Sequence, residues 1–120
     1  MTDRRRRAER KGRIAETVAA LYLRLLGFSI VAMRFRAAGG EVDVIARRGR
    51  LLVFAEVKAR RTVGDALFAV TDANARRVSA ATGAFLARHR RFADFDMRYD
   101  IIAIAPWRLT HERGAWRDDA

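Results

Sequence analysis

The sequence predicts a single α/β domain, a central mixed sheet flanked by helices. Three observations carry this: a helical repeat of apolar residues near the start, three β-type segments in succession between residues 28 and 58, and a second helical segment that returns to a fourth β-type segment. With 120 residues there is chain enough for one hydrophobic core and too little for two.

Ile14, Val18, Leu21 and Leu25 recur at helical spacing, with Ala15, Ala19, Tyr22, Leu23 and Leu26 beside them, and Gly27 follows as a C-terminal stop. The pattern predicts a well-buried helix over 13–26, with Glu16 at the edge of its apolar arc. Residues 1–11, carrying Arg4 to Arg7, Arg10 and Lys11, read as a basic flexible arm ahead of a domain over 12–120. Residues 28–36 read as a strand, and Ala37 to Gly40 as its turn. A second strand follows over 41–48, and Gly49 and Arg50 turn the chain into a third over 51–58. Beyond the less regular stretch that contains Gly64, Asp72 is placed as the cap of a helix over 73–90, with Val78, Ala81 and Phe85 inward. Residues 97–104, rich in β-branched side chains and stopped by Pro106, form the fourth strand. The segment with Trp107, Leu109 and Trp116 either adds an edge strand or covers the sheet. No internal repeat or low-complexity stretch interrupts this order.

Lys and Arg number 25 against 14 Asp and Glu, a net charge of +11, and all but two of the cations are arginine. Planar, bidentate guanidinium groups suit phosphate, so the expected partner is nucleic acid; the plainer alternative is a charged, solvated surface. Without cysteine there are no disulfides, thiolate metal sites or thiol nucleophile, which fits a cytoplasmic protein. No apolar run approaches the ~20 residues that cross a bilayer, so no membrane is expected as partner.

The chemistry concentrates in two adjacent strands. Glu41 and Asp43 stand two apart in one, Glu56 and Lys58 two apart in the next, so each pair shares a face of its strand. A two-residue turn at Gly49 and Arg50 sets Arg48 opposite Leu51 and, counting back, Asp43 opposite Glu56; a three-residue turn would send them to opposite faces. In the first register the carboxylates converge, repel, and call for a cation between them, and hard oxygen donors select Mg²⁺ or Mn²⁺. Lys58 is one of only two lysines in an arginine-rich chain. A compact ammonium there suits orienting water or steadying charge on a phosphate in its transition state. The structural alternative is a surface Glu56–Lys58 pair worth at most ~1 kcal/mol.

Gly40-Glu41-Val42-Asp43, Phe54-Ala55-Glu56-Val57-Lys58, Ala15-Glu16, Gly64 and Arg98-Tyr99-Asp100 together resemble the YraN-like family of predicted endonucleases, from about Gly12 onward. That family is similar to the PD-(D/E)XK superfamily, with a three-layer restriction-endonuclease-like fold, and to archaeal Holliday-junction resolvases. The resemblance implies a Mg²⁺- or Mn²⁺-dependent endonuclease acting on DNA, branched DNA included. It makes Asp43 and Glu56 metal ligands, Lys58 the catalytic lysine and Glu16 an auxiliary acid, with Glu41 beside the metal. Arg60, Arg61, Arg76 and Arg77 are the expected phosphate grips, and a homodimer is expected if two strands are to be cut. The chain departs from the family pattern at Ala59, Arg34 and Asn74, the last standing where relatives present a lysine. The alternative function is a non-catalytic nucleic-acid-binding module on the same fold.

Overall fold

Thr2 starts the first helix, its side-chain oxygen accepting the Arg5 N–H at 3.2 Å in the computed structural model, which describes residues 2–118. From this cap α1 (Asp3–Leu25) runs unbroken, so the basic segment expected as an arm forms the helix's first turns. Arginine is a good helix former, and these turns are exposed; lacking a core to face, they show no apolar repeat. The face that α1 buries is also not the expected one. Ala15, Glu16, Ala19, Ala20 and Leu23 are buried, while Ile14, Val18, Leu21 and Leu25 point outward. The helix has two apolar faces, and the alanine-rich one lets its backbone lie closer to the sheet.

Strands β1 (Ser29–Ala37), β2 (Gly40–Arg48) and β3 (Leu51–Ala59) form the expected antiparallel meander. Ala38 and Gly39 turn the first hairpin with positive φ at both positions, and Gly49 turns the second with φ 60. Then come α2 (Val63–Phe68), α3 (Asp72–Arg88), a 3₁₀ turn at Arg90–Phe92, and β4 (Asp96–Ala105), which runs parallel to β3. The C-terminal segment proves to be an edge strand, β5 (Arg108–Trp116), antiparallel to β4. The sheet order is β1-β2-β3-β4-β5. Thr71, one residue before the expected Asp72, caps α3: its oxygen accepts the Asn74 N–H, and the Asn74 side chain accepts the Thr71 N–H in return.

The result is a three-layer α/β fold. On one face Ala15, Ala19, Leu23 and Phe28 pack on Val44, Ala46, Val53, Ala55 and Ile102. On the other, Val78, Ala81 and Phe85 of α3 pack on Ile45, Leu52, Phe54 and Tyr99. Phe85 meets Phe35 and Phe54 edge-on, with ring centroids 5.2 and 6.0 Å apart, a favourable geometry for aromatic pairs. Among the described residues no helix is long and apolar enough to cross a membrane. Where α3 crosses the start of β2, a Cβ on Gly40 would stand 1.9 Å from the Arg77 carbonyl oxygen, so glycine alone permits the approach. That approach brings the first turns of α3 to the same end of the sheet as Glu41 and Asp43.

Candidate active site

The β2–β3 ladder starts at Arg48↔Leu51, as the two-residue turn requires, and its last pair is Val44↔Ala55. Asp43 and Glu56 occupy the next position, where the strands part. Here β2 also rotates about its axis: Val44 packs under α1, yet Val42, two residues away, packs under α3. In place of a ladder bond, Asp43 Oδ2 accepts the Val57 N–H at 2.8 Å. The carboxylate of one strand is thereby fastened to the backbone of the other, beside Glu56. Lys58 Nζ lies 3.4 Å from Glu56 Oε1.

These groups line a cleft of about 460 Å³ at the end of the sheet, walled by Ala8 to Glu16 on α1 and by Asn74 and Arg77 on α3. Of the residues singled out in the sequence, Glu16, Glu41, Asp43, Glu56, Lys58, Arg60 and Arg77 all line it. Arg61 and Arg76 do not, and Arg76 instead borders a separate hollow with Ser79 and Trp116. Glu16 is buried, and Arg34 Nε donates to its Oε1 at 2.6 Å, so the acid reaches the cleft with its charge already answered. Arg34 manages this from a left-handed backbone, φ 52, directly across from Asp43 in the β1–β2 register. Glu41 has a longer contact, 3.4 Å, with the exposed Arg36. Asn74 has its side-chain oxygen committed to Thr71 in the α3 cap and brings no charge to the cleft.

Two contributors lay outside the sequence reading. One is Arg34, seen there only as a departure; the other is Lys11, which lines the cleft from α1. The chain has only two lysines, and both border this cleft, beside Arg60 and Arg77.

Asp43 and Glu56 are electrostatically uncomfortable as they stand. Burial first, then the charges of Glu16 and Glu41, pushes the Asp43 carboxyl up to about 6 despite the Val57 N–H and Lys58. Burial and the Asp43 charge push Glu56 up to about 7 despite Lys58. Paired buried carboxylates of this kind fit a divalent cation. Among the described residues no three Asp, Glu, His or Cys side chains are grouped as a metal shell.

A pH dependence follows from these shifts. Both folded values exceed the ordinary 3.8 and 4.5, so the folded chain holds more protons and loses stability as pH rises from about 4 to about 7. A divalent cation bound there would displace those protons. In thermal melts, 10 mM Mn²⁺ or Mg²⁺ is expected to raise Tm by several degrees at pH 8 and hardly at all at pH 5. Asp43→Asn should gain about 2 kcal/mol at pH 8 without metal and lose the metal response. A metal-induced shift of equal size at both pH values would contradict this.

Residues 15–104 match the model of a family described as uncharacterised protein family UPF0102. The chain belongs to that family. It is 51% identical over 105 residues to a UPF0102 protein of Rhizobium meliloti, covering 88% of this chain and 86% of the relative. A Bartonella bacilliformis member is 49% identical over 107 residues, with 89% and 88% covered, and one from Paramagnetospirillum magneticum 44% over 117, with 93% and 91% covered. The resemblance to YraN-like proteins is thus borne out as family membership. The matched UPF0102 segment includes Glu16, Glu41, Asp43, Glu56 and Lys58; Lys11 precedes it.

Proposed function

We propose that the chain is a divalent-metal-dependent nuclease of the restriction-endonuclease-like type, hydrolysing phosphodiester bonds of nucleic acid, with DNA as the favoured substrate. The observation that carries this reading is the convergence of Asp43, Glu56 and Lys58 in one cleft, on strands that part at that point. Asp43 and Glu56 would hold the cation, with Glu41 beside them. Bound Mg²⁺ or Mn²⁺ supplies Lewis acidity and lowers the pKa of an attacking water.

The remaining work falls on the chain's own side chains. Lys58 holds a localised positive charge beside Glu56, where it can steady the negative charge that accumulates on a phosphate under attack. Arg60, Arg77 and Lys11 on the rim would grip flanking phosphates, and Arg34 offsets part of the Glu16 charge that Asp43 feels. Most of these contacts are to the backbone of a nucleic acid, so the expected choice of substrate is by shape rather than base sequence.

The test is a panel of linear duplex, single-stranded and four-way-junction oligonucleotides incubated with Mg²⁺ or Mn²⁺ and with chelator. Metal-dependent cleavage of at least one substrate, lost in Glu56→Gln, supports the reading. Salt-sensitive binding without cleavage, unchanged by Asp43→Asn, would make the chain a binding module instead.

A further inference from the structure

The outward face of α1 serves no part of the fold or the cleft. Ile14, Val18, Leu21 and Leu25 are 58, 40, 52 and 88% exposed, four large aliphatic side chains in a row on one helix. Their spacing is 4, 3, 4, the 3.5-residue repeat of a coiled-coil seam held for two heptads. The stripe is narrow. Arg10, Thr17 and Arg24 border it on one side, and Ala15 and Tyr22, turned toward the body of the protein, on the other. A groove-binding or lipid-bound helix presents an arc of 100° or more, whereas a strict two-in-seven seam is shaped for one other helix.

The remaining helices supply no such partner. Among the described residues the only other large apolar side chain exposed on a helix is Phe68 on α2, and α3 exposes none. The other exposed ones, Met33, Met97 and Trp107, sit on strands or a turn. The seam's one complement in this chain is itself.

We propose that α1 is a self-association surface, pairing antiparallel with α1 of a second copy. Charge selects the direction: Arg4 to Arg7, Arg10, Lys11 and Arg13 crowd the start of the helix against only Asp3 and Glu9. Parallel helices would lay two such segments side by side, whereas antiparallel ones hold them at opposite ends and bring Arg13 toward the partner's helix C-terminus, where cations are favoured. Val18 then faces Leu21 of the partner subunit, and Ile14 faces the partner's Leu25. A two-heptad seam is short and buries little area, so the association is weak and reversible. Two chains of charge +11 also repel, and salt strengthens the association rather than weakening it. None of this depends on the nuclease reading, because the seam lies on the face of α1 opposite Glu16.

Sedimentation equilibrium from 2 to 200 µM, in 0.05 and 0.5 M NaCl, tests the proposal. The wild type is expected to reach dimer mass with a several-fold lower Kd at high salt, and Leu21→Glu to raise Kd at least 100-fold with Tm and metal response unchanged. Direction is read by cross-linking, since the chain has no cysteine of its own. A mixture of Val18→Cys and Leu21→Cys proteins should form the mixed disulfide in excess over either homodimer. A monomer throughout, a mass untouched by Leu21→Glu, or binding of the exposed seam to anionic vesicles (phosphatidylserine and phosphatidylcholine, 3:7) without dimerisation would each overturn it, and equal homodimer cross-linking would overturn the antiparallel arrangement.

Discussion

Lys58→Ala is expected to lower kcat for metal-dependent cleavage by about 10³-fold, with KM changed less than about threefold and Tm nearly constant. Lys58 Nζ stands 3.4 Å from Glu56 Oε1 with most of its side chain out of water, so its charge would act on a phosphate bound there with little screening. Removing it has a second effect: Lys58 is what restrains the upward shift of Glu56, so the variant should also hold Mn²⁺ more weakly at pH 7. The two losses separate by experiment. Calorimetry gives the change in metal affinity, and cleavage at saturating Mn²⁺ gives the part that belongs to Lys58 itself. Lys58→Arg should rescue poorly, because a planar fork on a longer stem does not reproduce a compact ammonium. Cleavage by Lys58→Ala within tenfold of wild type at saturating metal would show that this lysine has no part in the chemistry.

The second large effect concerns stability. Asp100, fully buried on β4, accepts both Arg98 Nε and Nη2 at 2.8 and 2.9 Å, His111 Nε2 at 2.7 Å and the Gly114 N–H at 3.0 Å. The β4–β5 register slips between Tyr99 and Ile101, and Gly114, with φ 61, turns its freed N–H toward the carboxylate. Because the carboxylate only accepts, Nε2 of His111 carries a proton toward it, and Nδ1 lies 2.9 Å from the Tyr22 hydroxyl. The chain of contacts thus ties β4 and β5 to the C-terminal end of α1. Burial pushes the Asp100 carboxyl upward, but His111, Arg98 and Gly114 outweigh it and bring it to about 2. Asp100→Ala leaves four donors, on three residues, without their acceptor and is expected to cost about 3–5 kcal/mol, read as a lower urea midpoint at pH 7. The sign in pH follows: a folded value below the ordinary 3.8 gives stability that is present above about pH 4 and lost as pH falls toward 2. The wild type should weaken over that interval, and Asp100→Ala should lack this component of the loss.

The sequence makes some of this legible and hides the rest for definite reasons. The convergence of Asp43 and Glu56 follows by counting from Gly49 and Arg50, since a two-residue hairpin fixes register locally. The Arg34–Glu16 contact does not, because it needs a slip in β1 between Ile30 and Ala32 and a left-handed residue, neither of which a β-pattern announces. The orientation of α1 was open for another reason. Ile14 and Val18 are as periodic as Ala15 and Ala19, and hydrophobicity alone does not say that the sheet takes the smaller side chains. Lys11 escaped because an arginine-rich stretch without apolar repeat looks like a tail until Thr2 is seen to cap it. Likewise Asp100 and His111 are eleven residues apart, and the return of β5 along β4, with His111 opposite Ile102, makes them neighbours.

The bond from Asp43 to Val57 bears on how readily the cleft would accept the proposed ion. With Oδ2 held by a main-chain amide, the side chain keeps one oxygen free and has little rotameric freedom left to surrender, so an ion bound there would cost little conformational entropy. Every ångström of slack between the two strands would be transmitted straight to that oxygen.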